Sequence, residues 1–206
     1  MQLTKRDKEI LCFINESGIC VMPQIEREFN LRFPRNYQVI RRLVNGGYIS
    51  HQQIFKNQHG IYHLTPKGAA TTTLPPLSTI SLGGYKHQLL VTDIRQQLCA
   101  RYPDTKWMSE RYLKQQKFYY GIGKSGHIAD GILIFPDEKK IAIELELSMK
   151  GKLRIEKILS AYGGQLEIAE AWYFCTDHVI RPMSSLAKNK SYIKIHSLKE
   201  FIYEQK

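Results

Sequence analysis

Apolar residues recur at helical spacing in three short segments near the start of the chain. The first segment follows Thr4, a favourable N-cap residue, and has Asp7 in its first turn, where negative charge favours a helix. Start and stop residues of this kind predict three helices, which begin after Thr4, after Met22 and at about Pro34, the last ending at the glycine pair 46–47.

Two β-prone segments follow and flank the polar turn KNQHG at residues 56–60, a pattern that predicts a hairpin. Three short helices and a hairpin are the elements of a winged helix-turn-helix. The phrases VIRRLVNGGYIS (39–50) and IYHLTPKG (61–68) resemble the end of the recognition helix and the return strand of the wing in winged-helix DNA-binding domains. We therefore expect such a domain over residues 1–70.

That resemblance implies that the third helix and the tip of the wing contact DNA. Arginine can bind guanine through two hydrogen bonds, and asparagine or glutamine can bind adenine in the same way. The residues concerned are Arg35, Asn36, Gln38, Arg41 and Arg42 on the helix, with Lys56, Asn57 and His59 at the wing. The alternative is a protein-protein or dimerisation module whose charges lie on a solvated face.

Residues 69–86 contain two prolines, two glycines and a threonine run without helical or alternating periodicity, so we expect a linker at 71–86. Beyond it, alternating patterns predict an α/β domain with a mixed sheet over residues 87–206. Strands are predicted at 106–113, 118–122, 129–135, 140–147, 171–175 and 192–196, and helices at 86–102, 153–164, about 182–188 and 197–205.

Three carboxylates are expected to meet in this second domain. Strand alternation places Glu144 and Glu146 on one face, and a turn of three or four residues would bring Asp130 opposite residue 145 or 146. Facing carboxylates repel each other unless a cation lies between them, and oxygen ligands of this kind suit Mg²⁺ or Mn²⁺. The alternative is a solvent-facing strand whose acids protect a sheet edge from aggregation.

The segment from Asp130 to Glu146 resembles the PD-(D/E)xK nuclease core of restriction endonucleases. It departs from that pattern because Ala129 replaces the proline and Glu146 occupies the usual lysine position. Together with the winged helix, the phrases W-x-S-E (107–110), HIADG (127–131) and ELELSMKGKLRIEKILSAY (144–162) make the chain similar to the replication-relaxation proteins and MobC-type plasmid relaxases. The resemblance implies an α+β fold of a winged helix followed by a restriction-endonuclease-like mixed-sheet domain.

The same resemblance assigns roles to residues of the second domain. Asp130, Glu144 and Glu146 would hold Mg²⁺ or Mn²⁺, and Lys150 would orient water or stabilise the phosphate's developing charge, although phosphate binding without catalysis remains open. A divalent metal of this kind would serve DNA hydrolysis.

Three further side chains of the second domain are candidates for accessory roles. Glu110 could supply a further acid, or could instead pair with Arg111 or a lysine. His127 could point toward the phosphate, or could be structural. A tyrosyl-DNA intermediate through Tyr119 or Tyr120 also remains open.

Composition and charge narrow the class of partner. Of 206 residues, 43% are hydrophobic and 24% are charged, and the net charge of +11 favours binding to a polyanion such as nucleic acid. We expect no membrane span or signal peptide, and four scattered cysteines suit a reducing compartment, so we expect a cytoplasmic protein.

Charge and resemblance together predict a site-specific, metal-dependent DNA-nicking protein of a plasmid or mobile element. Its partners would be double-stranded DNA at an origin-like site and, through the resemblance, other relaxosome or replication proteins. The alternative is a non-catalytic accessory factor or transcriptional regulator with a degenerate nuclease-like domain. A small-molecule or phosphate enzyme is disfavoured because GIGKSG (121–126) lacks the spacing of a phosphate-binding loop.

Overall fold

A computed structural model of the chain describes residues 2–119 and 127–203. These residues form helices and two β-sheets, and they belong to two compact units, Met1–Gln96 and Gln97–Lys206. The mixed α and β composition expected from the sequence is confirmed. No helix in either described stretch is long and apolar enough to cross a membrane.

The first unit contains the three helices and the hairpin expected from the sequence. Its elements are α1 (Lys5–Ser17), β1 (Cys20–Val21), α2 (Met22–Phe29), α3 (Arg35–Asn45), β2 (Ile49–Gln52), β3 (Ile61–Leu64) and the short helix α4 (Pro66–Ala69). Strand β3 is central and pairs antiparallel with β1 and β2. The helices share one apolar core, and burial of each large side chain in it contributes about 1.5–3 kcal/mol. Its members include Ile10, Ile14, Ile25, Ile40 and Leu43.

A network of polar contacts fixes the start of α1. Thr4 Oγ1 accepts a hydrogen bond from the Asp7 amide at 3.2 Å, and Asp7 Oδ2 accepts one from the Thr4 amide at 2.8 Å. Asp7 is buried and also forms an ion pair with Arg42 of α3. Burial raises the pKa of Asp7, but the hydrogen bonds from Arg42 and Thr4 outweigh it and hold that pKa below its usual value.

We expect Arg42→Ala to lower the free energy of unfolding by about 2 kcal/mol at neutral pH, because the buried Asp7 carboxylate loses its cation. Since the folded state lowers the pKa of Asp7, this stabilisation is present above the usual aspartate range and is lost as the pH falls through the lowered value. Urea denaturation of the wild type and the variant at neutral and acid pH measures the difference. Equal stability of the two proteins at neutral pH would contradict the assignment.

The segment predicted to be a linker packs onto the first unit. Leu74 is buried, and its carbonyl accepts a hydrogen bond from Asn15 Nδ2 at 2.7 Å. Leu77 and Ile80 pack against a second apolar cluster that contains Ile19. The prolines and glycines of residues 71–86 therefore shape an ordered connection, because the apolar residues between them have partners in the first unit.

Helix α5 (Tyr85–Arg101) begins in the first unit, where its first turns bind α2. The Asp93 carboxylate accepts hydrogen bonds from Gln24 Nε2 at 3.0 Å and from Arg27. The guanidinium of Arg95 donates to Glu28 Oε1 at 3.0 Å. Because of these contacts the first unit extends to residue 96, whereas the sequence assigned residues 87–206 to the second domain.

The second unit is built around a five-stranded sheet, and its mixed strand directions agree with the prediction from the sequence. Its elements are β4 (Lys106–Ser109), α6 (Glu110–Tyr119), β5 (Gly131–Ile134), β6 (Lys140–Glu146), α7 (Lys152–Gly163), β7 (Glu170–Cys175), α8 (Asp177–Ala187), β8 (Ile193–Ser197) and α9 (Leu198–Tyr203). The strand order is β4-β5-β6-β7-β8. Strands β4, β5 and β6 pair antiparallel, whereas β6, β7 and β8 pair parallel.

The strand predicted at 106–113 is too long. It ends at Ser109, because the Ser109 hydroxyl accepts a hydrogen bond from the Tyr112 amide at 3.2 Å and starts helix α6. The prediction of a strand at 118–122 is also wrong for residues 118–119, because these residues end helix α6. The rest of that segment, 120–122, lies outside the described residues.

The register of the β5-β6 hairpin differs from the expected one. Ile134 pairs with Lys140, and the Phe135 amide donates to the Lys139 carbonyl oxygen at 2.9 Å, so three residues, 136–138, lie between the last bonded positions. Gly131 pairs with Ile143, and the next position along each strand brings Asp130 opposite Glu144 instead of residue 145 or 146.

Strand β6 is covered on both faces. All side chains from Ile141 to Glu146 are buried, although two of them are carboxylates. Ala142 packs with Ile155 and Leu159 of α7, and strand alternation places both glutamates on this same face. The acids therefore lie under α7, which excludes the alternative of a solvent-facing strand edge.

Candidate nucleic-acid interface and carboxylate site

The outward face of α3 carries three of the five helix residues predicted to contact DNA. Arg35, Gln38 and Arg41 are exposed, because α3 turns Ile40 and Leu43 into the core and leaves the opposite face to solvent. Within residues 2–119 and 127–203, neither Arg35 nor Arg41 has an ion-pair partner. Their charges are available to a ligand.

The other two helix residues serve the fold. Asn36 is only 1% exposed; its Nδ2 donates to Glu26 Oε1, and its Oδ1 accepts from the Tyr37 amide at 2.7 Å. Arg42 forms the ion pair with Asp7 described above. The prediction that Asn36 contacts DNA is therefore corrected, because its side chain is inside the domain. Arg42 neutralises a buried acid and is not among the predicted contacts that the structure leaves unpaired.

Charge is unevenly distributed along the first unit. No aspartate or glutamate occurs from Phe29 to Thr92, a stretch that contains α3 and both strands of the hairpin. Its seven basic residues are Arg32, Arg35, Arg41, Arg42, Lys56, Lys67 and Lys86. Such a stretch attracts polyanions, and the acid that pairs with its Arg42, Asp7, comes from outside the stretch.

The tip of the hairpin holds a fixed, exposed turn. Gln53 Nε2 donates to the carbonyl oxygens of Phe55 at 2.7 Å and Gln58 at 2.5 Å, which closes the turn around Lys56. Asn57 lies in the left-handed region at φ 65°, a conformation that asparagine tolerates better than most residues. The predicted wing residues Lys56, Asn57 and His59 are all exposed.

In the second unit, Asp130 and Glu144 face each other across adjacent strands. Asp130 Oδ2 accepts a hydrogen bond from the Leu145 amide at 2.8 Å, and its carbonyl oxygen accepts one from the Glu110 amide at 3.2 Å. A side chain at position 131 would collide with the ring of Trp107, so Gly131 lets β4 and β5 approach at this point. The backbone on both sides of Asp130 is thereby fixed.

The Glu144 carboxyl is held by two ring side chains. It is 2% exposed; Tyr162 donates its hydroxyl hydrogen to Glu144 Oε1, and His127 Nε2 lies 2.5 Å from the same oxygen. Burial, together with the charge of Asp130, raises the pKa of Glu144, although His127 and Tyr162 oppose that shift. Burial lowers the pKa of His127, but the hydrogen bond and the charge of Glu144 outweigh it, so that this pKa is raised.

We expect the melting temperature of the wild type, compared with that of His127→Gln, to fall as the pH rises from about 6 to about 9. A raised histidine pKa means that protonated His127 stabilises the folded state below the usual histidine range, and this contribution is lost as the pH rises through the raised value. His127→Gln retains a donor to Glu144 and should lack this pH-dependent contribution. Identical slopes for the two proteins would contradict a charged His127-Glu144 pair.

The other two predicted residues of this site, Lys150 and Glu110, each form an ion pair with a residue four positions away. Lys150 Nζ lies 2.6 Å from Glu146 Oε1, and Lys114 Nζ lies 2.6 Å from Glu110 Oε1. Glu110 thus takes the lysine-paired alternative, although its amide contacts Asp130. Lys150 lies beside the carboxylates through its ion pair with Glu146, and its proposed role stays a prediction.

The carboxylates have the oxygen donors that Mg²⁺ and Mn²⁺ prefer, so the donor chemistry fits the metal. Nevertheless, in the two described stretches no group of three or more histidine, cysteine, aspartate or glutamate side chains is arranged to hold a metal ion. Glu144 is bound to His127 and Tyr162, and Glu146 to Lys150, so three-carboxylate ligation would require these side chains to change partners. The metal site stays a prediction.

For two features of the sequence, the tyrosine pair at 119–120 and the segment GIGKSG, the structure does not describe the side chains. Tyr120 and the segment GIGKSG lie outside the described residues, and for Tyr119 only the backbone is described. Conversely, the sequence interpretation missed Tyr162, whose hydroxyl binds Glu144. The spacing of the residues gave no sign of this contact, because Tyr162 follows Glu144 by 18 positions and lies on helix α7.

No protein-family model and no curated protein sequence matches the chain. Two solved structures are similar to it. A mutant of MarR from E. coli complexed with operator DNA has 15% identity and a TM-score of 0.32, covering 60% of this chain and 77% of its own. PigF with SAH has 12% identity and a TM-score of 0.21, covering 95% of this chain and 66% of its own. Likenesses of this size carry no argument about fold or function.

Proposed function

We propose that this chain binds duplex DNA site-selectively through a winged helix in its first unit. The observation that carries the proposal is the exposed face of α3, where Arg35, Gln38 and Arg41 project from a stretch without acidic residues. An α-helix fits the major groove, where arginine and glutamine side chains distinguish base pairs. The exposed turn at Lys56 supplies a further cation for the phosphate backbone.

We further propose that the second unit nicks the bound DNA with Mg²⁺ or Mn²⁺. This part rests on Asp130 facing Glu144 beside the Glu146-Lys150 pair, in the mixed sheet of the second unit. Asp130, Glu144 and Glu146 would hold the cation, which would neutralise phosphate charge and activate water. Lys150 would release Glu146 and bind a phosphate oxygen.

The test is an incubation of the full chain with supercoiled plasmids, including any from which its gene originates, with Mg²⁺, Mn²⁺ or EDTA. The expected result is an open-circular product with either metal and none with the chelator. In parallel, competition against heparin and random duplex should leave a subset of duplexes bound. Equal affinity for all duplexes and heparin would reject site-selective binding.

A second candidate function is DNA binding without cleavage, in an accessory or regulatory protein. The observation that favours it is the engagement of Glu144 by His127 and Tyr162 and of Glu146 by Lys150, an arrangement that satisfies the acids without metal. A mobility shift on a selected duplex without any strand cleavage, in Mg²⁺ and in Mn²⁺, would favour this function over nicking.

A further inference from the structure

Two aromatic rings project from the beginning of α3 into solvent. Phe33 is 80% exposed and Tyr37 is 53% exposed, and their centroids lie 6.3 Å apart in an edge-to-face arrangement. Single exposed apolar residues are ordinary on protein surfaces, but paired large rings on a small domain keep a considerable apolar area in water. Neither ring is needed to fill the core formed by α1, α2 and α3.

The surroundings of the rings indicate what covers them. Arg32 and Arg35 are exposed neighbours in sequence, and Arg41 follows Tyr37 by four positions, so it lies one turn further along the same face of α3. No acidic residue occurs in the surrounding stretch from Phe29 to Thr92. The acid that reaches this end of α3, Glu26, is occupied by a hydrogen bond from Asn36. Rings flanked in sequence by exposed arginines are complementary to an anionic partner that also presents apolar groups.

We propose that Phe33 and Tyr37 contact the 5-methyl groups of thymine in the bound duplex and so select thymine at that position. The inference rests on the proposed DNA-binding function and specifies the bases that are recognised. The thymine methyl is the one apolar group that base edges present in the major groove. One helical turn is about 5.4 Å long, so the Tyr37 ring and the Arg41 guanidinium would reach base pairs that are one or two steps apart.

The test compares thymine with deoxyuridine, which lacks only that methyl group. Duplexes are first selected from a random library with the full chain, and each thymine of the best duplex is then replaced by deoxyuridine in turn. We expect at least one replacement to weaken wild-type binding by about fourfold, the effect of one buried methyl group. Phe33→Ala and Tyr37→Ala should bind the thymine duplex about tenfold more weakly and should no longer distinguish the two bases there.

Leu82→Ala is the matched control, because it removes a 63% exposed apolar side chain elsewhere in the same unit. It should discriminate thymine from deoxyuridine as the wild type does. Wild-type binding that is indifferent to every replacement, or discrimination that persists in both ring variants, would overturn the inference while leaving DNA binding intact. If sedimentation shows that Phe33→Ala abolishes a dimer while base preference is unchanged, the rings contact a second copy of the chain, and the inference is overturned. Absence of binding to any duplex would reject the proposed function itself.

Discussion

Asp130→Asn is expected to abolish metal-dependent nicking while leaving duplex affinity unchanged or higher. The carboxylate lies opposite Glu144, and its removal takes away both a proposed metal ligand and a negative charge near the phosphates. The fold should persist, since an asparagine oxygen can still accept the hydrogen bond from the Leu145 amide. We expect a loss of at least about a hundredfold in the rate of open-circular product formation.

Asp137→Asn is the matched control for this experiment. Asp137 belongs to the same hairpin but lies in its exposed turn, where it accepts a hydrogen bond from the Lys139 amide. Its variant should nick at the wild-type rate. Calorimetric titration should show Mn²⁺ binding to the wild type and to the control, with much weaker binding to Asp130→Asn. If Asp130→Asn cleaves as fast as the control, Asp130 has no role in the reaction.

Arg41→Ala is expected to weaken binding to the selected duplex by roughly tenfold or more without destabilising the protein. Arg41 is exposed and lacks an ion-pair partner among the described residues, so the folded state loses little when the side chain is removed. A lost base contact costs about 1–3 kcal/mol at one base pair, whereas a lost phosphate contact reduces the salt slope of binding by about one. Affinities measured on single-base duplex variants across a salt series distinguish the two.

The adjacent arginine provides the control. Arg42 has the same charge and is also partly exposed, but it is paired with Asp7. Arg42→Ala should therefore lower stability, as stated above, and should retain base preference at temperatures where it remains folded. Reversed effects, with binding lost in Arg42→Ala and stability lost in Arg41→Ala, would mean that α3 presents a different face to DNA.

The order of helices and strands was largely predictable because it follows from local periodicity. The features that the sequence did not predict depend on tertiary contacts. Leu74 lies between prolines and glycines that indicate a linker, yet its partners are side chains of the first unit far away in sequence. The predicted strand was extended past Ser109 to residue 113, although a serine before Glu110 can also start a helix.

The candidate sites were predictable to the same degree. Alternation correctly placed Glu144 and Glu146 on one face, because the period of a strand is fixed. It could not reveal that Asn36 points to Glu26, since exposed and buried amides look alike in a sequence. The residue that lies opposite Asp130 depends on which residues of the two hairpin strands pair. The spacing of residues in the sequence does not determine that pairing.

Strand β6 also restricts how the length of this chain can change. Its side chains alternate between one face with Ile141, Ile143 and Leu145 and another with Ala142, Glu144 and Glu146, and both faces are buried. Deleting one residue inside the strand would exchange the two sets, driving carboxylates into the aliphatic side and leaving Tyr162 and His127 facing leucine or isoleucine. Insertions and deletions in this part of the protein are therefore confined to the turn at residues 135–139.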